Sequence, residues 1–162
     1  MSDERSVRTS AHSIEVSRVV DAPATEVFRF LRDPANHAVL DTSGMVRGAA
    51  PDAAITAVGD VFVMNISNDM KGDHQDENHV IAYEPDRLLK WAPAEPGHPP
   101  AGHTWTWELT PRKDGRTNVS HTYDWSRFTH TDMLDHLPVI NARQMQESLN
   151  RLAKALTPKS HA

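Results

Sequence analysis

Between residues 44 and 126 the apolar residues recur at every second position, in run after run; beyond residue 138 they recur at every third or fourth. A period of two belongs to strands and a period near 3.6 to helices. The alternating runs span 45–48, 61–68, 74–83, 88–92, 103–110 and 118–126. Turn chemistry separates neighbours, with Glu84-Pro85-Asp86 between one pair and Lys113-Asp114-Gly115 in a hairpin between two long strands. Strands joined in this way form an antiparallel meander. In the last part Val139, Ala142, Met145, Leu149, Leu152 and Leu156 draw one apolar face on a helix predicted from Pro138 to Ala155. Pro138 suits its first turn and Thr157-Pro158 stops it. At 1.5 Å per residue such a helix is roughly 27 Å long, enough to lie across a sheet.

The chain before residue 44 supplies the rest. Residues 12–20 (HSIEVSRVV) read as a strand, and 24–32 (ATEVFRFLR) as a short amphipathic helix that Asp33-Pro34 breaks. Thr25 and Glu26 suit its start, and 34–40 can add one more helical turn. Residues 1–11 are polar and are expected to be a loose arm. The fold class is therefore α+β, a curved antiparallel sheet of about seven strands around a long C-terminal helix, with short helices after the first strand. At 162 residues, with no repeat and no composition break, one domain over 1–162 is expected.

Composition removes several functions. There is no cysteine, which excludes disulfides, thiolate catalysis and cysteine-ligated metal. Seventeen Lys+Arg against 22 Asp+Glu, with no basic stripe, argue against a nucleic-acid partner. No apolar run approaches the ~20 residues of a membrane helix, and the N-terminal sequence has no apolar leader core, so membrane insertion is not expected and a cytoplasmic setting is. No phosphate-cradling glycine loop, nucleophile elbow, HExxH or dinucleotide fingerprint occurs, and no cofactor is expected. A homodimer through a sheet edge or a helix's outer face fits the pattern, though no residue identifies it.

What remains is aromatic. Trp105, Trp107 and Leu109 share one strand face; Val119, His121, Tyr123 and Trp125 share a face of the next. Phe62, Met64 and Ile66 do the same on an earlier strand, as do Leu89 and Trp91 on another. Set against Phe28 and Leu31 of the first helix and Met145 and Leu149 of the last, these faces outline a ligand cavity. His74, Asp76 and Asn78 share the inward face with Val80 and Ala82, which sets His74 at the cavity mouth; Glu77 and His79 face solvent. His74 and His79 lie on opposite faces and do not converge on an ion, so no metal is expected. Asn65, beside the inward Met64, points outward, as does Asp124. Residues 92–103 (APAEPGHPPAGH) hold four prolines and two glycines and read as a loop, a stiffened lid in one reading.

Five stretches together are similar to a known family: IEVSRVVDAPATEVFRFLRDP, GDVFVMNI, VIAYEPDRLLKW, WELTPRKDGRTNVSHTYDWS and the terminal MQESLNRLAKAL. They resemble the START-like (SRPBCC) superfamily, the helix-grip fold, and within it the bacterial polyketide cyclase/dehydrase-like group. The resemblance implies a START-like domain with an elongated apolar cavity between sheet and C-terminal helix, holding a lipid- or polyketide-like molecule. Three functions follow from it. The first is a binding module whose affinity comes from aromatic burial. The second is a cyclase or dehydratase, in which His121 is the general base and Tyr123 the proton donor. The third is a protein-binding module like the heat-shock-protein ATPase activators, favoured by a filled cavity and an exposed apolar patch.

Overall fold

The computed structural model describes residues 5–50, 55–68, 72–129 and 140–156. Its eight strands are β1 (Arg5–Thr9), β2 (Ser13–Val20), β3 (Val46–Ala49), β4 (Val61–Asn68), β5 (Gly72–Glu84), β6 (Leu88–Ala94), β7 (Thr104–Pro111) and β8 (Thr117–Asp124). They form one curved, wholly antiparallel sheet in the order β1-β2-β8-β7-β6-β5-β4-β3. From β3 to β8 each strand lies beside its sequence neighbour, as the meander requires, and β2 docks on β8 from Ser13↔Asp124 to Val20↔Thr117. Helices α1 (Ala24–Leu31) and α2 (His37–Leu40), with a 3-10 turn at Pro34–Asn36 between them, follow β2, and α3 (Ala142–Leu156) follows β8. This is the α+β helix-grip arrangement that the sequence predicts.

Each helix is held by one apolar stripe. α3 buries Met145, Ser148, Leu149, Leu152 and Ala153, spaced three and four apart, against β2, β8 and α2. It starts with a reciprocal cap: Asn141 Oδ1 accepts from the Gln144 amide and Gln144 Oε1 from the Asn141 amide, both at 2.9 Å. The predicted start at Pro138 lies outside the described residues. α1 buries Ala24, Val27, Phe28 and Leu31, and Phe28 meets Tyr83 of β5 edge to face at 5.3 Å.

Three expectations are corrected. Residues 5–9 of the expected loose arm form β1, which raises the strand count from about seven to eight. All five residues of β1 are exposed, so the strand is held by its backbone ladder to β2 and by a Ser6–Ser17 hydroxyl pair, and leaves no hydrophobic alternation to read. A bulge in β5 pairs Val80 with Trp91 but Ala82 with Lys90. The extra residue, exposed Ile81, moves Ala82 off the inward face and brings Tyr83 opposite Leu89, where it packs on the core. Finally, residues 92–94 are not loop: β6 continues through them beside β5 as far as Ala94↔Glu77. β7 pairs with β6 only up to Trp91, so Pro93, which has no N–H to offer, stands where one side of the strand has no ladder to complete.

The remaining loop, 95–103, is fixed at both ends. The Gly97 amide donates to Glu77 Oε1 at 2.9 Å, and the Ala101 carbonyl accepts from both the amide (2.7 Å) and the hydroxyl (3.0 Å) of Thr129. This close approach needs Gly102. Its φ is +110°, and a Cβ there would sit 1.9 Å from the Arg127 carbonyl oxygen. We expect Gly102→Ala to lower stability by about 2 kcal/mol. Gly97→Ala, also at positive φ but with open space around it, is expected to cost about 1 kcal/mol. Urea midpoints of the two variants test this order.

Candidate functional site

A cavity of about 280 Å³ opens on the concave side of the sheet. Its back wall is the inward faces of β4 to β8. Phe62, Met64 and Ile66 come from β4, Trp91 and Pro93 from β6, Trp105 and Trp107 from β7, His121 and Tyr123 from β8. The opposite side is α2, with His37 and Leu40, the 41–46 turn, Ile140 just before α3 and Ser148 in the middle of α3. His74, Asp76 and Asn78 of β5 make a polar margin, and Ala101, His103 and Phe128 line the side where the 95–103 loop is anchored.

The residues that alternation predicts separate into two sets. Phe62, Met64, His74, Trp91, Trp105, Trp107, His121 and Tyr123 line the cavity. Phe28, Leu31, Trp125, Met145 and Leu149 are corrected to core positions: each is buried, none is a lining residue. The reason is where the space lies. α3 closes directly on β2, filling the volume that Met145 and Leu149 point into, and the opening is displaced toward α2.

The aromatic wall is one continuous stack. Trp107 lies on His121 with ring centroids 3.7 Å apart and planes 15° from parallel. Trp105 lies on Tyr123 at 4.2 Å and 7°, and also faces His121 at 5.4 Å and 19°. Register produces this: Trp107 is paired with His121 and Trp105 with Tyr123 across β7 and β8, where directly opposed side chains are nearest neighbours. On the other side His37 stacks on Trp91 at 5.1 Å and meets Phe62 edge to face at 5.6 Å. Flat faces dominate the lining, which suits a flat apolar ligand.

Polar groups are few and mostly committed. Asp41 folds its own turn, accepting from the amides of Ser43 (3.1 Å), Gly44 (3.0 Å) and Val46 (3.2 Å) and from the Ser43 hydroxyl (2.5 Å). The Ser148 hydroxyl donates to the Leu40 carbonyl at 2.7 Å. His74 Nδ1 donates to the Gly72 carbonyl at 3.0 Å, and its Nε2 lies 3.5 Å from Asp76. His121 is buried, and its Nδ1 donates to the Thr106 carbonyl at 3.0 Å. Burial pushes its imidazole down to about 3; the Thr106 bond only partly offsets this and the nearby His37 adds to it. His37 donates from Nε2 to the Leu31 carbonyl at 2.7 Å, and desolvation likewise holds it below the ordinary imidazole range. Among the described residues no three His, Asp or Glu side chains gather as a metal site. No helix among them is long and apolar enough to cross a membrane.

His37 is one of the lining residues that the sequence pattern left unmarked. Pro34, His37 and Leu40 recur every third residue, the spacing of one face through a 3-10 turn and a short helix, and that spacing was the available signal. His103 stands two residues before Trp105 in the 103–110 run, and that period of two was its signal; Phe128 carried none, since it lies beyond the end of β8.

Comparison with known proteins bears on most of the chain. A family model described as polyketide cyclase / dehydrase and lipid transport matches residues 11–157. The chain is 36% identical over 115 residues to the uncharacterized protein Rv0088 of Mycobacterium tuberculosis (strain ATCC 25618 / H37Rv), a match covering 68% of this chain and 47% of that protein. It thus spans about half the length of the curated relatives it matches. Among solved structures it is similar to protein Ms6760 from Mycobacterium smegmatis, with a TM-score of 0.66 at 13% identity over 93% of this chain and 96% of that one. It is also similar to protein CV1439 from Chromobacterium violaceum, with a TM-score of 0.65 at 20% identity over 93% and 100%. At such identities the likeness to these structures is one of fold.

Proposed function

Because the chain belongs to the polyketide cyclase/dehydrase and lipid transport family, we propose that it binds an apolar small molecule in the cavity between β4–β8 and α2. The observation that carries this reading is the stacked wall of Trp107, His121, Trp105 and Tyr123, flat ring against flat ring, facing open space. In a core built for stability alone, side chains fill such space to near crystal density. An open cavity also supports binding over the protein-docking alternative.

Two features favour a binding protein over a cyclase. A general base works best with a pKa near the working pH, and burial makes the His121 imidazole far too weak a base to take a proton from carbon at neutral pH. Trp105 packs on both His121 and Tyr123, so an indole ring lies against each member of the expected base–donor pair.

Native mass spectrometry of the protein isolated from its own cells, with extraction of whatever travels with it, tests the reading. A bound ring compound that extraction removes is the expected result. A protein that is always empty, and whose tryptophan emission does not respond to neutral ring compounds, would overturn it.

A further inference from the structure

We infer that the cavity selects an uncharged ring compound that donates hydrogen bonds, a hydroxylated aromatic or alicyclic molecule, and rejects lipids that carry a carboxylate or phosphate. This rests on the binding reading and narrows its ligand class.

The first ground is the pair of histidines. A carbonyl oxygen only accepts, so the ring nitrogen facing it must carry the proton. The 2.7 Å contact with Leu31 fixes the His37 proton on Nε2, and the 3.0 Å contact with Thr106 fixes the His121 proton on Nδ1. The other nitrogens, His37 Nδ1 and His121 Nε2, are then bare acceptors. Neither has a second hydrogen-bond partner among the described residues. Both rings line the cavity. The two bonds fix opposite tautomers, and each leaves a lone pair that only a donor can satisfy.

The second ground is charge. Among the described residues no Lys or Arg lines the cavity, and the acidic side chains that do are Asp41, Asp76 and Glu95. Among the described lining residues, a carboxylate or phosphate entering it would meet three carboxylates and no lysine or arginine. Nor do the imidazoles supply positive charge, since burial keeps both neutral. The stacked indoles supply apolar area and the two nitrogens supply orientation, the usual division of labour in a small-molecule pocket.

Three naphthalenes of one ring size separate the possibilities: 2-naphthol, 2-methoxynaphthalene and 2-naphthoate, each titrated near neutral pH by quenching of tryptophan emission. The alcohol is expected to bind about 3- to 10-fold tighter than the ether, the margin of one or two neutral hydrogen bonds. The naphthoate is expected to bind weakest. His37→Phe and His121→Phe keep a flat ring but lose the acceptor, and each should bring the alcohol toward the ether. Equal binding of alcohol and ether, or tight binding of the naphthoate, would overturn this inference while leaving the cavity a binding site. Failure of both neutral compounds to bind would contradict the binding reading and this one with it. The comparison among ligands needs only the natural chain, so it stands even if a variant does not fold.

Discussion

Trp107→Ala is expected to cost about 3–5 kcal/mol of folding stability, the largest effect of any single truncation at the cavity. Trp107 is only 3% exposed, and it lies at the middle of the sheet. Its backbone is paired with Leu89 on one side and His121 on the other, and its ring covers the His121 imidazole at 3.7 Å. Truncation removes the apolar area of an indole, the stacking contact, and the shield that keeps the imidazole dry. For a domain of this size the loss corresponds to a melting point lower by roughly 10 °C. Trp107→Phe retains a flat ring there and should recover most of the loss. Trp105→Ala should cost less, about 1–2 kcal/mol, because that ring is only half-buried. Thermal unfolding of the three variants checks the order, and an equal cost for Trp105 and Trp107 would contradict it.

The second large effect is acid destabilisation beginning at unusually mild pH. In the unfolded chain His37 and His121 titrate near 6.5. In the folded protein both lie lower, and His121 stays neutral down to about 3. Between those values the unfolded chain binds protons that the folded chain refuses. Their contribution to stability is therefore full above about pH 6.5 and is lost as the pH falls through the window. The slope is up to about 1.4 kcal/mol per pH unit for each histidine. From pH 7 to pH 5 we expect a loss of about 2–4 kcal/mol. Urea unfolding at a series of pH values measures it, and His121→Phe should make the slope shallower by about one proton. A slope unchanged in that variant would show that His121 is not the group responsible.

How much of this was legible in the sequence follows from what leaves a periodic trace. β4, β7 and β8 alternate without interruption, so the inward positions of Phe62, Met64, Trp105, Trp107, His121 and Tyr123 could be read from the sequence. The β5 bulge could not, since one extra residue at Ile81 reverses every later face and nothing in the composition announces it. β1 was illegible for a different reason: its side chains bury nothing, and backbone pairing writes no pattern into side-chain identity. The helix start was within reach, since Asn141 with Gln144 three residues later is a capping box, but Pro138 offered a competing start signal.

The cavity's position was the harder problem. Met145 and Leu149 face the sheet, as periodicity says, yet facing the sheet and facing open space are different conditions. Which one holds depends on how closely α3 approaches β2, a distance that helical spacing does not encode. The tautomers of His37 and His121 depend on contacts with the Leu31 and Thr106 carbonyls, and no sequence pattern specifies those.

The most direct test of the binding account is to follow the four indole N–H signals by nuclear magnetic resonance while 2-naphthol is added. Trp91, Trp105 and Trp107 line the cavity, whereas Trp125 is core and does not. The account predicts that the first three signals shift together and saturate while Trp125 stays nearly still. Shifts at Trp125 equal to the rest, or no saturating shift at Trp91, Trp105 and Trp107, would contradict it.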